Sequence, residues 1–379
     1  MAPSSAAGAE RESPPPIPHV LHVADADAFA RFGRMFRQLG LALSDEGVRV
    51  SLLTDDAEAA AELDGTPVED YLFQPLGGWG VWRLPGFLRR QFDPPPDVVH
   101  LWGTTCLRYL SDWTRGCQAS LLIHATSLHD VERLKRRGVR SNEYPVAGCD
   151  EYGESLRDRY PTLADSVQVL KPALLPPEKV PGLAVRGKTL GLLWTGPIDK
   201  HCGLEVLIEA VARLRRKEFD LQVALIGRGP ATRHIWQEIR RQRVPDCFSL
   251  IAEPKLWDQA MAGADICVVP TSQHDLALAP LLAMALGKVV VASRDQVADW
   301  FIEHETTLQF TPGSAVELAY HVTRTAAAHP NVLAVARGAV AYVHQNHAVT
   351  HLASELAGLY HTLRRETGGV ASAKPGGAV

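Results

Sequence analysis

Two rhythms of apolar residues alternate along this chain. Short apolar runs at 19–23 (HVLHV), 48–54 (VRVSLLT), 97–102 (DVVHLW), 120–125 (SLLIHA), 144–148 (YPVAG) and 167–170 (VQVL) predict buried strands. Between them lie stretches in which apolar residues recur at helical spacing, such as 29–43 (FARFGRMFRQLGLAL). Strand–helix alternation predicts a parallel sheet with helices on both faces.

The pattern then pauses in a proline-rich segment at 174–182 (LLPPEKVPG) and resumes. A second set of strands is predicted at 190–196, 221–227, 247–251, 265–270 and 288–293. The helix opening near Gly203 carries Leu204, Leu207, Ile208, Val211 and Leu214 as one apolar stripe. Two further helical stretches, 330–346 and 349–366, close the pattern. The expected architecture is α/β: two doubly wound, Rossmann-like domains in series. The first spans 18–180 and the second 186–345, and a helix at 346–366 is expected to pack back on the first. Residues 1–17 and 367–379, rich in Pro, Ser, Ala and Gly, read as disordered tails. Ligands of such sheets bind at the carboxyl ends of the strands, so the cleft between the domains is the expected site.

Composition narrows the function. The net charge of −4 gives no basic field for nucleic acid. No uncharged apolar run approaches the ~18 residues of a membrane span, and the first residues lack the apolar stretch of a secretory signal. The six cysteines (106, 117, 149, 202, 247, 267) form no CxxC pair, so no zinc or redox motif is read, and free thiols in a reducing cytoplasm are expected. No metal site is expected.

Four segments of the second half carry a resemblance: 203–214 (GLEVLIEAVARL), 221–230 (LQVALIGRGP), 264–272 (ADICVVPTS) and 280–293 (PLLAMALGKVVVAS). Their motifs and order resemble the donor domain of retaining GT-B glycosyltransferases of the family-4 (group 1) type. In the first half, 94–103 (PPPDVVHLWG) and 121–127 (LLIHATS) are a weaker likeness. The resemblance implies transfer of a sugar, with retention, from a nucleoside diphosphate donor to a hydroxyl acceptor, glycan or lipid-linked, without a further cofactor. The leaving diphosphate gains charge, which preorganised donors or cations must meet.

At the positions where this family keeps its ionic groups the chain departs. Gly196-Pro197 stands for Gly-Arg, Cys202 for Lys, His274 and Leu282 for two Glu, and Gln296-Val297 for Gly-Gly. The glycine-rich loop after the first strand is replaced by 24–32 (ADADAFARF). The resemblance implies His124 as a partner of the donor sugar, with Asp275, one residue from the first Glu position, accepting a sugar hydroxyl. For the diphosphate and nucleoside the expected contacts are Lys200, Gly203, Arg228, His274 and the backbone of Leu276, Ala277 and Leu278. Leu282 falls at the ribose position, where it cannot accept a hydrogen bond. His100 is expected to be structural. Two patches, 79–92 (WGVWRLPGFLRRQF) and 131–140 (VERLKRRGVR), mix arginines with apolar residues and are candidates for peripheral contact with an anionic membrane. Two readings stand: a divergent glycosyltransferase with a repaired diphosphate site, or a non-catalytic GT-B protein that binds a ligand or partner. An epimerase or phosphorylase on the same architecture is a minor third.

Overall fold

The computed structural model describes residues 17–57, 60, 63, 65–178, 180, 189–251, 257–271 and 276–372. Seven strands form the first sheet: β1 (His19–Ala24), β2 (Arg49–Thr54), β3 (Glu69–Leu72), β4 (Val98–Trp102), β5 (Ser120–Ala125), β6 (Glu143–Ala147) and β7 (Gln168–Val169). Their order is β3-β2-β1-β4-β5-β6-β7, and the pairings are parallel. The second sheet holds β8 (Leu190–Thr195), β9 (Leu221–Ile226), β10 (Phe248–Ile251), β11 (Ile266–Val269), β12 (Val289–Ser293) and β13 (Leu308–Phe310). Its order, β10-β9-β8-β11-β12-β13, repeats that of the first. Each sheet reverses its strand order beside its first strand, at β1/β4 and at β8/β11, which opens a crevice at the carboxyl ends. Central parallel strands are buried on both faces, so they read as continuous Val, Leu and Ile. β3 and β13 are edge strands without such runs, EDYL and LQF, and the apolar pattern did not reveal them.

Helices cover the first sheet as α1 (Ala26–Asp45), α2 (Leu84–Gln91), α3 (Leu107–Cys117), α4 (Leu128–Arg137) and α5 (Asp150–Arg159). The second carries α6 (Leu204–Arg215), α7 (Thr232–Arg241), α8 (Trp257–Gly263), α9 (Leu278–Ala285) and α10 (Ala315–Ala326). Asp25 caps α1 by accepting from the Ala28 N–H at 2.8 Å. Phe29, Phe32, Met35, Phe36, Leu39 and Leu43 then form its buried face. In α6 the stripe read from sequence is buried as expected.

Two helices end the fold, α11 (Pro330–Asn346) and α12 (Val349–Ser372). The chain returns to the first domain where the Leu174 N–H donates to the His347 carbonyl and the Val349 N–H to the Leu174 carbonyl, each at 2.9 Å. α12 then buries Leu352, Leu356, Tyr360 and Leu363 in the apolar cluster that includes α1. It runs on to Ser372 through residues read as the start of a tail; the first proline beyond 366 is Pro375. The same cluster takes in Leu281 and Met284 of α9 and Trp300, so one apolar core crosses the domain interface. None of the described helices is long and apolar enough to cross a membrane.

Candidate functional site

His124 ends β5 at the predicted cleft wall, but its imidazole is fully buried and engaged at both nitrogens. A chain of hydrogen bonds runs through it. The Trp102 indole N–H donates to His22 Nδ1 (3.0 Å), and His22 Nε2 meets the Tyr360 hydroxyl (3.3 Å). That hydroxyl meets His100 Nδ1 (2.7 Å), His100 Nε2 meets His124 Nδ1 (3.3 Å), and His124 Nε2 reaches the Leu170 carbonyl (3.0 Å). The ends fix the direction: an indole N–H only donates and a carbonyl only accepts. Each histidine is therefore neutral and protonated at Nε2, and the tyrosine donates to His100. Burial holds His22 and His124 down at about 3 and His100 well below its ordinary value. The sequence assigned His124 to the donor sugar; the structure makes it a core histidine, as it does His100, because the chain consumes every ring nitrogen.

Beyond β5 the wall is organised by Asp130 of α4. Its carboxylate accepts from the hydroxyls of Thr104 (2.7 Å) and Ser127 (2.8 Å) and from the N–H of Thr126 (3.1 Å). These bonds tie the loop after β4 to the loop after β5 and hold Thr126 by its N–H and hydroxyl. Asp25, at the end of β1, also accepts from the Thr105 hydroxyl. Burial raises its carboxyl above the ordinary range, against the pull of those donors.

In the second domain the loops after β8 and β9 lock together by backbone. The Ile198 N–H donates to the Arg228 carbonyl and the Ala231 N–H to the Ile198 carbonyl, both at 2.9 Å. A Cβ on Gly227 would lie 1.9 Å from the Gly196 carbonyl oxygen, and one on Gly229 2.2 Å from that of Ile198. The glycines of GRG thus serve loop packing. Gly203 caps α6 in the left-handed region (φ 67°), with Pro270 and Thr271 pressed against it. Cys202 is buried, and burial raises its thiol; Cys267 is pushed up to about 12 for the same reason. The Gln296 amide donates to the Thr271 carbonyl, bridging the loops after β11 and β12.

The opening of α9 lies against the first domain. The Leu276 N–H donates to the Thr126 carbonyl (3.0 Å), and the Leu276 side chain is 1% exposed. Arg31 of α1 reaches the carbonyls of Thr126 (3.2 Å) and Leu276 (3.3 Å) through Nη1. Ala277 precedes the helix in extended geometry without a side-chain cap. Pro280 has no N–H, so the first turn presents the N–H groups of Leu278 and Ala279.

Of the other expected contacts, Lys200 and Arg228 are exposed on the loops after β8 and β9. Leu282 is half-buried and packs on the apolar core. His274 and Asp275 lie outside the described residues. Among the described residues no three His, Cys, Asp or Glu are grouped to hold a metal ion. Arg31, Thr126 and Asp130 were missed from sequence. Arg31 interrupts the apolar face of α1 beside Phe32, the one signal that could have flagged it.

Residues 189–327 match the family of glycosyl transferases group 1. This stretch is similar to a group 1 glycosyltransferase domain. Over 314 residues the chain is 24% identical to a D-inositol 3-phosphate glycosyltransferase of Pseudarthrobacter chlorophenolicus, covering 68% of this chain and 72% of that protein. Two similar solved structures are Anabaena HepE in complex with UDP and glucose and the sucrose-phosphate synthase of Thermosynechococcus elongatus. HepE has a TM-score of 0.74 at 16% identity, over 91% of this chain and 99% of that one. The synthase has 0.73 at 17%, over 92% and 100%. At such identity the likeness speaks for the fold: the matched stretch sits in a two-domain GT-B architecture.

Proposed function

We propose that this protein is a glycosyltransferase that moves a sugar, with retention, from a nucleoside diphosphate donor to a hydroxyl acceptor. The observation that carries the reading is the opening of α9, which lies within the stretch matched to the group 1 family and against the first domain. There the N–H groups of Leu278 and Ala279 and the positive end of the helix suit a diphosphate. Lys200 and Arg228, exposed on the neighbouring loops, are assigned the positive charge that Pro197 and Cys202 cannot supply. His274 and Asp275 are assigned to the sugar hydroxyls. His124 supports the wall from behind and takes no proton.

UDP-glucose is the first donor to test, since Anabaena HepE was solved with it, and D-inositol 3-phosphate, which the relative's name carries, is the first acceptor. The experiment is isothermal titration with UDP, GDP and ADP and their sugars, followed by nucleotide release with acceptor present. Binding with release supports the enzyme. No heat at millimolar ligand would end the donor reading.

A second reading, a GT-B protein that binds without turnover, draws on one observation: the histidine meant for the donor sugar is sealed in the core. Binding without nucleotide release would favour it. In both readings the exposed Trp79–Trp82 turn is assigned to peripheral contact with an anionic membrane.

A further inference from the structure

We propose that Arg31 and Leu276 form an interdomain latch that competes with a nucleoside diphosphate for the opening of α9; this rests on the donor reading above. The Leu276 side chain is a peg and Gly148, after β6, is its hole. A Cβ on Gly148 would lie 2.5 Å from Leu276 Cδ1, so glycine there admits the leucine. The peg is fastened by backbone, Leu276 N–H to the Thr126 carbonyl, and the guanidinium of Arg31 clamps both carbonyls from the side. Thr126 is itself held by Asp130, so the clamp closes on a fixed point.

These contacts use what an anion would need. An amide beside the mouth of α9 is committed to a carbonyl oxygen, and so is Arg31 Nη1. Arg31 is also balanced by carboxylates: Asp27 pairs with Nη2 at 3.1 Å, and Asp25 lies close enough to feel its charge. The guanidinium is therefore a clamp in this arrangement and is not offered to phosphate. The latch is also releasable. Arg31 is 12% exposed in its side chain, yet its Nε finds no hydrogen-bond partner among the described residues. A buried unpaired donor is unfavourable, and opening the cleft returns it to water.

The test is titration of UDP, GDP and ADP into the wild type and three variants, Arg31→Ala, Leu276→Ala and Gly148→Ala. Gly148→Ala crowds the peg while leaving the amide and guanidinium in place, so it guards against a fold defect in the other two. Each variant is first checked for a native circular-dichroism spectrum and a cooperative melt. The expected result is binding tightened about tenfold, the size of a modest population shift, for the same nucleotide that binds the wild type. Wild-type binding with unchanged or weaker affinity in the folded variants overturns the latch and leaves the donor reading standing. Weaker binding in Arg31→Ala alone also overturns it, because Arg31 would then be a ligand contact. No binding to any of the four proteins overturns both.

Discussion

The Tyr360 hydroxyl donates to His100 Nδ1 across 2.7 Å, joining residues 260 positions apart. The same oxygen accepts from His22. One atom thus stitches α12 to the two central strands of the first sheet, β1 and β4. Tyr360→Phe keeps the ring and removes that atom, leaving a buried N–H of His22 and a buried lone pair of His100 unpaired. A loss of about 2 kcal/mol is expected in guanidinium unfolding. A variant as stable as the wild type would mean that the network has no energetic weight.

The same network predicts acid lability. An unfolded histidine titrates near 6.5, whereas His22 and His124 in the fold titrate at about 3. Above pH 6.5 both states are neutral and these groups contribute no slope. Below it the unfolded chain takes up protons that the folded chain refuses, so stability falls with pH. At pH 5 the loss is about 2 kcal/mol for each of the two, and His100 adds in the same direction. The carboxylates held low, Glu143 and Glu69 among them, lose their contribution further down, below their ordinary range. Urea unfolding at pH 7.5, 6.5, 5.5 and 5.0 checks this; a flat profile over that range refutes it.

The central strands were legible because burial on both faces leaves mostly apolar residues there, as in 120–125 and 288–293. Three of the motif-bearing segments of the second domain were legible for the same reason, since they include β9, β11 and β12; the fourth is the apolar stripe of α6. The role of His124 was not. A histidine near the end of a buried strand reads the same whether it meets a ligand or, as here, another buried histidine and a carbonyl, and the Tyr360 that anchors the network lies far away in sequence. Arg31 was hidden likewise, since its partners are carbonyls, which carry no sequence signal.

Gly203 is required by backbone geometry. Its φ of 67° costs a residue with a Cβ about 1 kcal/mol, and the new Cβ would press Thr271 Cβ at 3.0 Å and the Pro270 oxygen at 3.1 Å. Gly203→Ala should lower the thermal midpoint by several degrees, a loss of about 2 kcal/mol, and displace the turn that carries Lys200. An unchanged midpoint by calorimetry would show that the turn adapts freely.

The basic stretch 131–140 looked like half of a membrane surface, and the structure gives much of its charge to the fold. Arg137 pairs with the buried Glu143 at 2.6 and 2.8 Å, and Arg140 pairs with Asp112 at 2.8 Å. Burial alone would raise the Glu143 carboxyl; Arg137, Ser111 and the Arg140 N–H together hold it low. Removing one partner of a buried pair strands the other. Arg137→Met should cost about 3 kcal/mol in chemical denaturation, while Arg136→Met, exposed on the same helix, should stay within about 0.5 kcal/mol. Equal effects would mean that Glu143 does not depend on Arg137.

What remains for a membrane is the turn before α2. Trp79 is 98% exposed and Trp82 67%, and Arg83, Arg89 and Arg90 are exposed beside them. Tryptophan favours the interface between water and lipid, and each nearby arginine adds about 1 kcal/mol toward an anionic leaflet. Leu84 and Leu88 are already buried in the domain, so α2 has no apolar face left to insert. Contact would rest on the two indoles and the arginines. Sedimentation with vesicles containing a third phosphatidylserine should therefore retain the wild type, release it in high salt, and fail for Trp79→Ser/Trp82→Ser. Neutral phosphatidylcholine vesicles should retain neither. Equal sedimentation of wild type and double variant, or no sedimentation with anionic vesicles, would assign the two tryptophans to something other than lipid.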